Sequence, residues 1–271
     1  MKHRHAYRIS DLTAYINWAY FYHAWGIPAK ETTEAERLMK DARRMLARLT
    51  NYTSVNAVVD LQPCYADGDD IILLTQKPVR LPMLRQQHPD TEGFCLCLAD
   101  FIRPKGSTTD TIGVFATTVR SPQQYDDNYS SLLAQTLCDR LAEAAAERLH
   151  EEVRKTLWGY APDEALTMDE LHAEKFQGIR PAVGYPSLPD LSLNFVLDSV
   201  LNFQEIGITL TEHGMMQPHA SVSGLMLSHP AARYFAVGTI SEEQLHDYAQ
   251  RRGLPVEAMR TYLSANLSSK S

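Results

Sequence analysis

The sequence predicts an α+β fold, a single domain in which a central, mainly antiparallel twisted sheet is flanked by helices. Strand-like segments follow one another through short turns or loops, and helical segments lie before and after them. The alternating strand-helix-strand units that a doubly wound sheet requires are missing. No linker-like stretch divides the 271 residues. We therefore expect one domain over residues 1–271, with an ordered core from about residue 8 to residue 267.

The first strong helical pattern is "TTEAERLMKDARRMLARLT", residues 32–50. Thr33 and Glu36 have the spacing of a capping box, in which two side chains bind free amides at the start of a helix. One helical face is apolar, and its residues are Leu38, Met39, Ala42, Met45, Leu46 and Leu49.

Strand patterns dominate the next stretch of the chain. Four segments are predicted strands: "SVNAVVDLQ" (54–62), "DIILLTQ" (70–76), "FCLCLADFI" (94–102) and "TIGVFATTV" (111–119). An Asp67-Gly68 turn between the first two predicts a hairpin. In the third segment Cys95 and Cys97 alternate with leucines, so both thiols are expected on one face of a strand.

The second half of the chain begins with the longest helical pattern, which covers about residues 125–158 and is rich in alanine. Ser241 and Gln244 have capping-box spacing at the start of a helix that ends at Gly253. The other predicted elements are helices near residues 168–176, 192–203 and 256–263 and two strands, "SVSGLMLS" (221–228) and "RYFAVGTI" (233–240).

Composition argues against several classes of partner. The net charge of −7 and the interleaving of basic with acidic residues argue against nucleic-acid binding. No apolar run is long enough to span a bilayer, and the N-terminal "MKHRHAYRISDL" lacks the apolar core of a signal peptide. The four cysteines have no disulfide or metal spacing, so we expect free thiols and a cytoplasmic protein.

Motifs of common catalytic sites are also missing. The glycines form no GxGxxG loop, and "ASVSG" places a valine where a nucleophile elbow needs serine. Glu212, His213 and His219 lie close together in sequence, but such loose spacing is weak evidence for a metal site, and loop histidines without a metal are the favoured interpretation. We therefore assign no catalytic residue and no metal ligand.

The segment "GIRPAVGYPSLPD", residues 178–190, is more informative. Arg180 presents a planar fork of donors that fits a carboxylate, Gly184 allows close approach, and Tyr185 offers a ring for stacking. Together they suit a small zwitterion that carries an aromatic group. A proline-rich turn with a surface arginine explains the same residues, and the residues alone leave both interpretations open.

Acidic residues near this loop also have two interpretations. Glu143 and Glu147 have the helical spacing of a solvated face, with Arg140 nearby. Glu174 is either an ion-pair partner of Arg180 or a surface residue. Spacing alone favours a structural role for each.

"GIRPAVGYP" resembles the S-adenosylmethionine-binding loop of the activation domain of cobalamin-dependent methionine synthase. The resemblance extends over nearly the whole chain. Further segments that are similar to the family are "YINWAYFYHAW", "LRQQ", "CLADFIRPK", "DRLAEAAAERLHEEVRKTLWGYAPDE", "LTEHGMMQPHASVSGLMLSHPAARYFAVGTI" and "DYAQRRG".

The resemblance implies a role in reductive reactivation. In this family the domain binds S-adenosylmethionine while an electron from flavodoxin or another reductase and the methyl group of the ligand restore methylcobalamin from cob(II)alamin. The implied cofactors are therefore S-adenosylmethionine and, indirectly, a cobalamin (vitamin B12) held by a methionine synthase chain. We do not expect this chain to make methionine alone.

The resemblance also implies a set of binding residues. Arg180 matches the arginine that holds the carboxylate of the ligand, and Tyr234 matches a tyrosine near the ligand. Asn17 replaces an aspartate that faces the ammonium group, and Phe235 replaces a second tyrosine. The remaining matches are the loop residues Ala182, Gly184 and Tyr185 and the acidic residues Glu143 and Glu174, the latter expected to pair with Arg180 when no ligand is bound.

The chain lacks other features of a complete synthase. It has no DxHxxG motif for cobalamin, no zinc-binding cysteine cluster, and too few residues for the homocysteine, folate and cobalamin modules. We therefore expect the activation domain alone: Met1 suggests a stand-alone companion of a split synthase, and a domain excised from a longer protein is the other possibility. The alternatives are a non-catalytic docking module for a corrinoid protein or reductase, with an altered ligand site, and an independent methyltransferase, which the missing glycine loop disfavours.

Overall fold

The computed structural model describes residues 1–27, 32–121 and 124–267. The last four residues of the predicted domain lie outside these ranges. Six strands form the main antiparallel sheet: β1 (Lys2–Tyr7), β2 (Ser54–Asp67), β3 (Asp70–Leu73), β4 (Val79–Pro82), β5 (Asp110–Arg120) and β8 (Ser221–Met226). Two short strands, β6 (Thr209–Leu210) and β7 (Met216–Gln217), pair with each other.

The helices lie around this sheet. They are α1 (Ile9–Leu12), α2 (Trp18–Ala24), α3 (Thr33–Leu49), α4 (Asn128–Glu152), α5 (Met168–His172), α6 (Leu193–Leu201), α7 (Glu242–Arg252) and α8 (Val256–Tyr262). A π-helical turn, Val153–Leu157, continues α4. The predicted α+β class is confirmed.

The strand order is β4-β3-β2-β5-β8, with β1 added to the free half of β2. Strand β2 alternates its side chains between two cores, as the period of a strand requires. Val55, Ala57 and Val59 enter a core shared with α3 and α4, whereas Val58 and Cys64 enter a core shared with α6. Both faces of the sheet are therefore covered.

Most of the elements predicted from the sequence are confirmed. Strands β2 and β3 form the hairpin expected at the Asp67-Gly68 turn, and β5 and β8 lie where the patterns placed them. Ser241 caps α7 through the amide of Gln244, and Gly253 ends the helix with a φ of 65°. The long helix begins three residues later than predicted, at Asn128.

The predicted strand "FCLCLADFI" is wrong. Residues Leu98–Phe101 form a 3-10 turn, because the Asp100 carboxylate accepts the Cys97 amide at 2.8 Å and closes the chain on itself. The expectation that both cysteine thiols lie on one face of a strand is therefore also wrong, because Cys97 is buried and Cys95 is partly exposed. All four cysteines are free.

The predicted strand "RYFAVGTI" is also wrong. Its residues form no regular secondary structure apart from a single bridge, from Ile240 to Leu267. Its backbone is bound elsewhere, because the Val237 amide donates to the Pro186 carbonyl at 2.9 Å. A smaller correction concerns α3, where Thr32 rather than Thr33 is the cap and accepts the Ala35 amide.

Close backbone contact joins β8 to the segment that follows α5. The Leu225 amide donates to the Pro181 carbonyl at 3.0 Å, and the Val183 amide donates to the Ser223 carbonyl at 2.9 Å. A Cβ atom on Gly224 would lie 2.2 Å from the Pro181 carbonyl oxygen. The absence of a side chain at Gly224 therefore allows the 180–183 segment to lie along the sheet edge.

We expect Gly224→Ala to lower the free energy of unfolding by at least about 3 kcal/mol, because backbone must move to admit the methyl group. Urea unfolding followed by circular dichroism measures the change. Gly68→Ala is the matched control: it has open space but a φ of 62°, so about 1 kcal/mol of strain is expected. Equal losses in the two variants would contradict the close-contact explanation.

Candidate functional site

A cavity of about 700 Å³ lies between α4, the start of α2, the end of α5 and the 180–187 loop. Its volume is in the range of small-molecule sites. The lining residues are Tyr15, Asn17, Tyr20, Arg140, Glu143, Glu147, Leu171, His172, Glu174, Arg180, Pro181, Ala182, Tyr185, Pro186, Ser187, Tyr234, Phe235 and Ala236. The cavity thus brings together eight of the nine binding residues expected from the sequence.

Gly184 is the ninth, and it does not line the cavity. Its φ of 88° lies in the left-handed region, and its amide donates to the Leu188 carbonyl at 2.8 Å. A Cβ atom there would lie 3.1 Å from the Leu191 side chain. Gly184 therefore shapes the turn that carries Tyr185 to the cavity wall.

Arg180 is the central cation of the site. Its side chain is only 11% exposed, and a terminal nitrogen lies 3.1 Å from a carboxylate oxygen of Glu147. The second carboxylate, on Glu143, lies 3.9 Å away. Burial opposes the charge of Arg180, but the neighbouring carboxylates, above all Glu147, outweigh it and raise the pKa of the guanidinium. Arg180 therefore stays charged inside the protein.

Tyr234 and Tyr185 hold the loop from two directions. The Tyr234 hydroxyl accepts the Arg180 amide at 2.9 Å, so the 233–240 segment fixes the position of the arginine. The Tyr185 hydroxyl donates to Glu143, while the residue as a whole remains 49% exposed. Burial, followed by the charge of Glu143, raises the pKa of the Tyr185 hydroxyl, so it remains a donor.

Helix α4 and the π-helical turn that continues it supply a row of polar side chains beside the cavity. Glu143, Glu147, His150 and Arg154 follow at helical spacing on one face. Arg154 is fully buried and pairs with both oxygens of Glu164 at 2.7 and 2.8 Å. Burial, followed by Arg154 and Arg180, holds the pKa of His150 well below its ordinary value, so this imidazole is neutral.

The expectation of a solvated face for Glu143 and Glu147 is therefore wrong. Their side chains are 26% and 14% exposed and both approach Arg180. Arg180 was expected to pair with Glu174, but it pairs with Glu147 instead. Sequence analysis missed Glu147 as a site residue, although its four-residue spacing from Glu143 was a usable signal.

Glu174 lies at the end of α5 with a φ of 56°, a conformation that helix ends usually assign to glycine. Its carboxylate lines the cavity and makes no hydrogen bond within the described residues. Burial, followed by repulsion from Glu147, raises the pKa of Glu174. A cationic group in the cavity would relieve this repulsion.

Asn17 also lines the cavity and caps α2. Its side-chain oxygen accepts the amides of Ala19 at 3.1 Å and Tyr20 at 3.4 Å. That oxygen is therefore engaged by the helix start, which is the ordinary role of asparagine at this position.

Within the described residues, no group of three or more histidine, cysteine, aspartate or glutamate side chains has the arrangement of a metal site. His219 instead lies 3.2 Å from Asp139. No described helix is both long enough and apolar enough to cross a membrane.

Comparison with known proteins identifies the family. Residues 8–253 match the model of the family described as vitamin B12 dependent methionine synthase, activation domain. The chain belongs to this family. A solved structure titled "Crystal Structure of the MetH Reactivation Domain bound to AdoHcy" is 38% identical, with a TM-score of 0.92. The match covers 100% of this activation domain and 91% of that chain.

We expect Glu174→Gln to stabilise the activation domain near pH 7 and to have no effect in acid. Because the pKa of Glu174 is raised in the folded protein, the folding stability is highest below the ordinary carboxyl range and declines as the pH rises through the raised pKa. Glutamine carries no charge, so the variant should not show this decline. Thermal unfolding at a series of pH values measures the difference in melting temperature.

Glu170→Gln is the control, because hydrogen bonds from Thr167 lower the pKa of Glu170. Its carboxylate contributes stability above the ordinary carboxyl range, and that contribution disappears as the pH falls through the lowered value. The two variants should therefore shift the melting temperature in opposite directions near pH 7. Shifts of the same sign would refute the assigned repulsion at Glu174.

Proposed function

We propose that this activation domain binds S-adenosylmethionine in the cavity and presents its methyl group to a cobalamin on a partner chain, in reductive reactivation of methionine synthase. One observation carries the proposal: a buried, charged Arg180 faces a cavity of about 700 Å³ in a member of this family. The AdoHcy (S-adenosylhomocysteine) complex of the 38% identical reactivation domain supports it.

The charges of the cavity fit the methionine end of this ligand. The guanidinium of Arg180 binds the carboxylate, and Glu147 and Glu143 hold the guanidinium in place. Glu174 lies near Arg180 and offers a carboxylate to the cationic groups of the ligand. The cavity therefore matches a ligand that carries both a carboxylate and positive charge.

The remaining residues suit the adenosine end. Tyr185 and Phe235 offer rings, Tyr234 fixes the Arg180 backbone, and Ala182 lines the cavity. When bound, S-adenosylmethionine supplies an electrophilic methyl group. The residues of this chain position that group at the cavity mouth and limit its contact with water.

The partners follow from the same proposal. A cobalamin-bearing methionine synthase chain covers the mouth of the cavity, where Tyr20 and Tyr185 are exposed. Flavodoxin or another reductase supplies the electron. The free thiols, three of them buried, fit a reducing compartment, so we place the protein in the cytoplasm. A docking module without ligand is not favoured, because the cavity retains its charged groups.

We expect Arg180→Ala to weaken the binding of S-adenosylmethionine about 100-fold, because the carboxylate of the ligand loses a charged partner in a mostly buried site. Isothermal titration calorimetry with S-adenosylmethionine and S-adenosylhomocysteine measures it. Arg233→Ala is the matched control, since Arg233 pairs with Asp90 and Glu92 outside the cavity. Absence of binding by the unaltered protein, or equal loss in both variants, would refute the proposal.

We expect Asn17→Asp to tighten S-adenosylmethionine binding about fivefold, because a carboxylate at the cavity wall attracts the cationic groups of the ligand. Aspartate caps a helix as well as asparagine does, so stability should not change. The control ligand is 5′-methylthioadenosine, which lacks the charged groups, and its affinity should stay the same. A parallel gain for both ligands would show that charge is not the cause.

A further inference from the structure

The segment from Glu174 to Arg180 brings two opposite charges to the cavity, because both of these residues line it. Other elements hold the arginine end of the segment. The Ile179 amide donates to the Leu227 carbonyl at 2.9 Å, and the Tyr234 hydroxyl accepts the Arg180 amide at 2.9 Å. Arg180 is therefore placed by the end of β8 and by the 233–240 segment.

The glutamate end of the segment has no comparable support of its own. Glu174 follows the last turn of α5 and has a φ of 56°. Its carboxylate makes no hydrogen bond within the described residues. A left-handed conformation is unfavourable for a residue with a Cβ atom, and it persists only where the surrounding structure imposes it. A nearby contact must therefore hold the chain at Glu174.

The ring of Phe176, two residues later, makes this contact. It packs against two side chains of α4 and its π-helical continuation. The guanidinium carbon of Arg154 lies 4.2 Å from the ring centroid, and the His150 ring meets it edge-on at 5.0 Å. Both partners are completely buried. A cation–π contact is strongest where the cation is desolvated, so the Phe176 ring has a strongly preferred position.

The groups around Phe176 are themselves held in place. Arg154 binds both oxygens of Glu164 at 2.7 and 2.8 Å. The Tyr160 hydroxyl lies 3.4 Å from His150 Nε2 and donates to the Gln177 carbonyl, also at 3.4 Å. The surface that receives the Phe176 ring is therefore fixed by ion pairing and hydrogen bonds.

We propose that Phe176 is a positioning residue for ligand binding: its contacts with His150 and Arg154 hold the chain so that the Glu174 carboxylate faces the cavity. This inference rests on the proposed function, in which Glu174 offers a carboxylate to the cationic groups of S-adenosylmethionine. Phe176, His150 and Arg154 are outside the cavity lining, so they act on the ligand only through the residues that they hold.

The test replaces the Phe176 ring and measures two ligands. Phe176→Leu removes the ring but keeps an apolar side chain, and Phe176→Tyr keeps the ring. Phe101→Leu is the matched control, because Phe101 contacts His229 at 6.1 Å between ring centroids and neither residue lines the cavity. Calorimetry with S-adenosylmethionine and with 5′-methylthioadenosine is run on each variant, and thermal unfolding defines a temperature at which all are folded.

We expect Phe176→Leu to weaken S-adenosylmethionine binding about fivefold and 5′-methylthioadenosine binding less than about twofold, because only the first ligand carries the positive charges. Phe176→Tyr and Phe101→Leu should bind S-adenosylmethionine within about twofold of the unaltered protein. Phe176→Met is the second ring-deleting variant, should the leucine variant be unfolded at every usable temperature.

A double-mutant cycle tests whether Phe176 acts through Glu174. Glu174→Gln alone should weaken S-adenosylmethionine binding about fivefold, since it removes the charge that Phe176 positions. Adding Phe176→Leu to Glu174→Gln should then cost less than about twofold more, because two residues that act as one unit do not have additive effects. A role in fold stability alone would give the same loss in both backgrounds.

The inference is overturned by equal losses for the two ligands, by equal losses in Phe176→Leu and Phe101→Leu, or by an undiminished loss in the Glu174→Gln background. Unchanged S-adenosylmethionine affinity in Glu174→Gln would overturn it as well. Absence of S-adenosylmethionine binding by the unaltered protein would instead count against the proposed function. The two failures are therefore distinguishable.

Discussion

The buried pair of Arg180 and Glu147 is the interaction on which the site depends. It joins a loop carried by the edge of the sheet to the long helix that crosses the same core. A buried arginine without a carboxylate is very unfavourable, so the pair fixes the distance between loop and helix. Neighbouring contacts, from Tyr234 to the Arg180 amide and from Tyr185 to Glu143, then define the cavity.

The cavity contains more carboxylates than its own arginines balance. Glu143 and Glu147 share Arg180, whereas Glu174 has a strained backbone and a raised pKa. Unfavourable local conformation and charge repulsion are typical of functional sites, where a bound ligand relieves them. Here a positively charged group would relieve them, which matches a sulfonium compound with an ammonium group better than a simple carboxylate.

The Arg180 loop was recognisable from sequence because its residue types already limit its chemistry. The prediction that Glu174 pairs with Arg180 was wrong. The actual partner, Glu147, is much farther from Arg180 in the sequence and reaches it only because α4 packs on the sheet. Asn17 lines the cavity. The family resemblance did not indicate that the Asn17 side-chain oxygen caps α2, because this contact depends on the local backbone conformation.

The sequence by itself determined the class of fold, the main helices and strands, and the loop that carries Arg180, because these follow from local periodicity and residue chemistry. Tertiary structure alone decided that the 233–240 segment binds the Arg180 loop instead of a strand and that Glu147 faces inward. Each of these depends on hydrogen bonds or charges brought together by packing. Residue spacing along the chain does not encode such contacts.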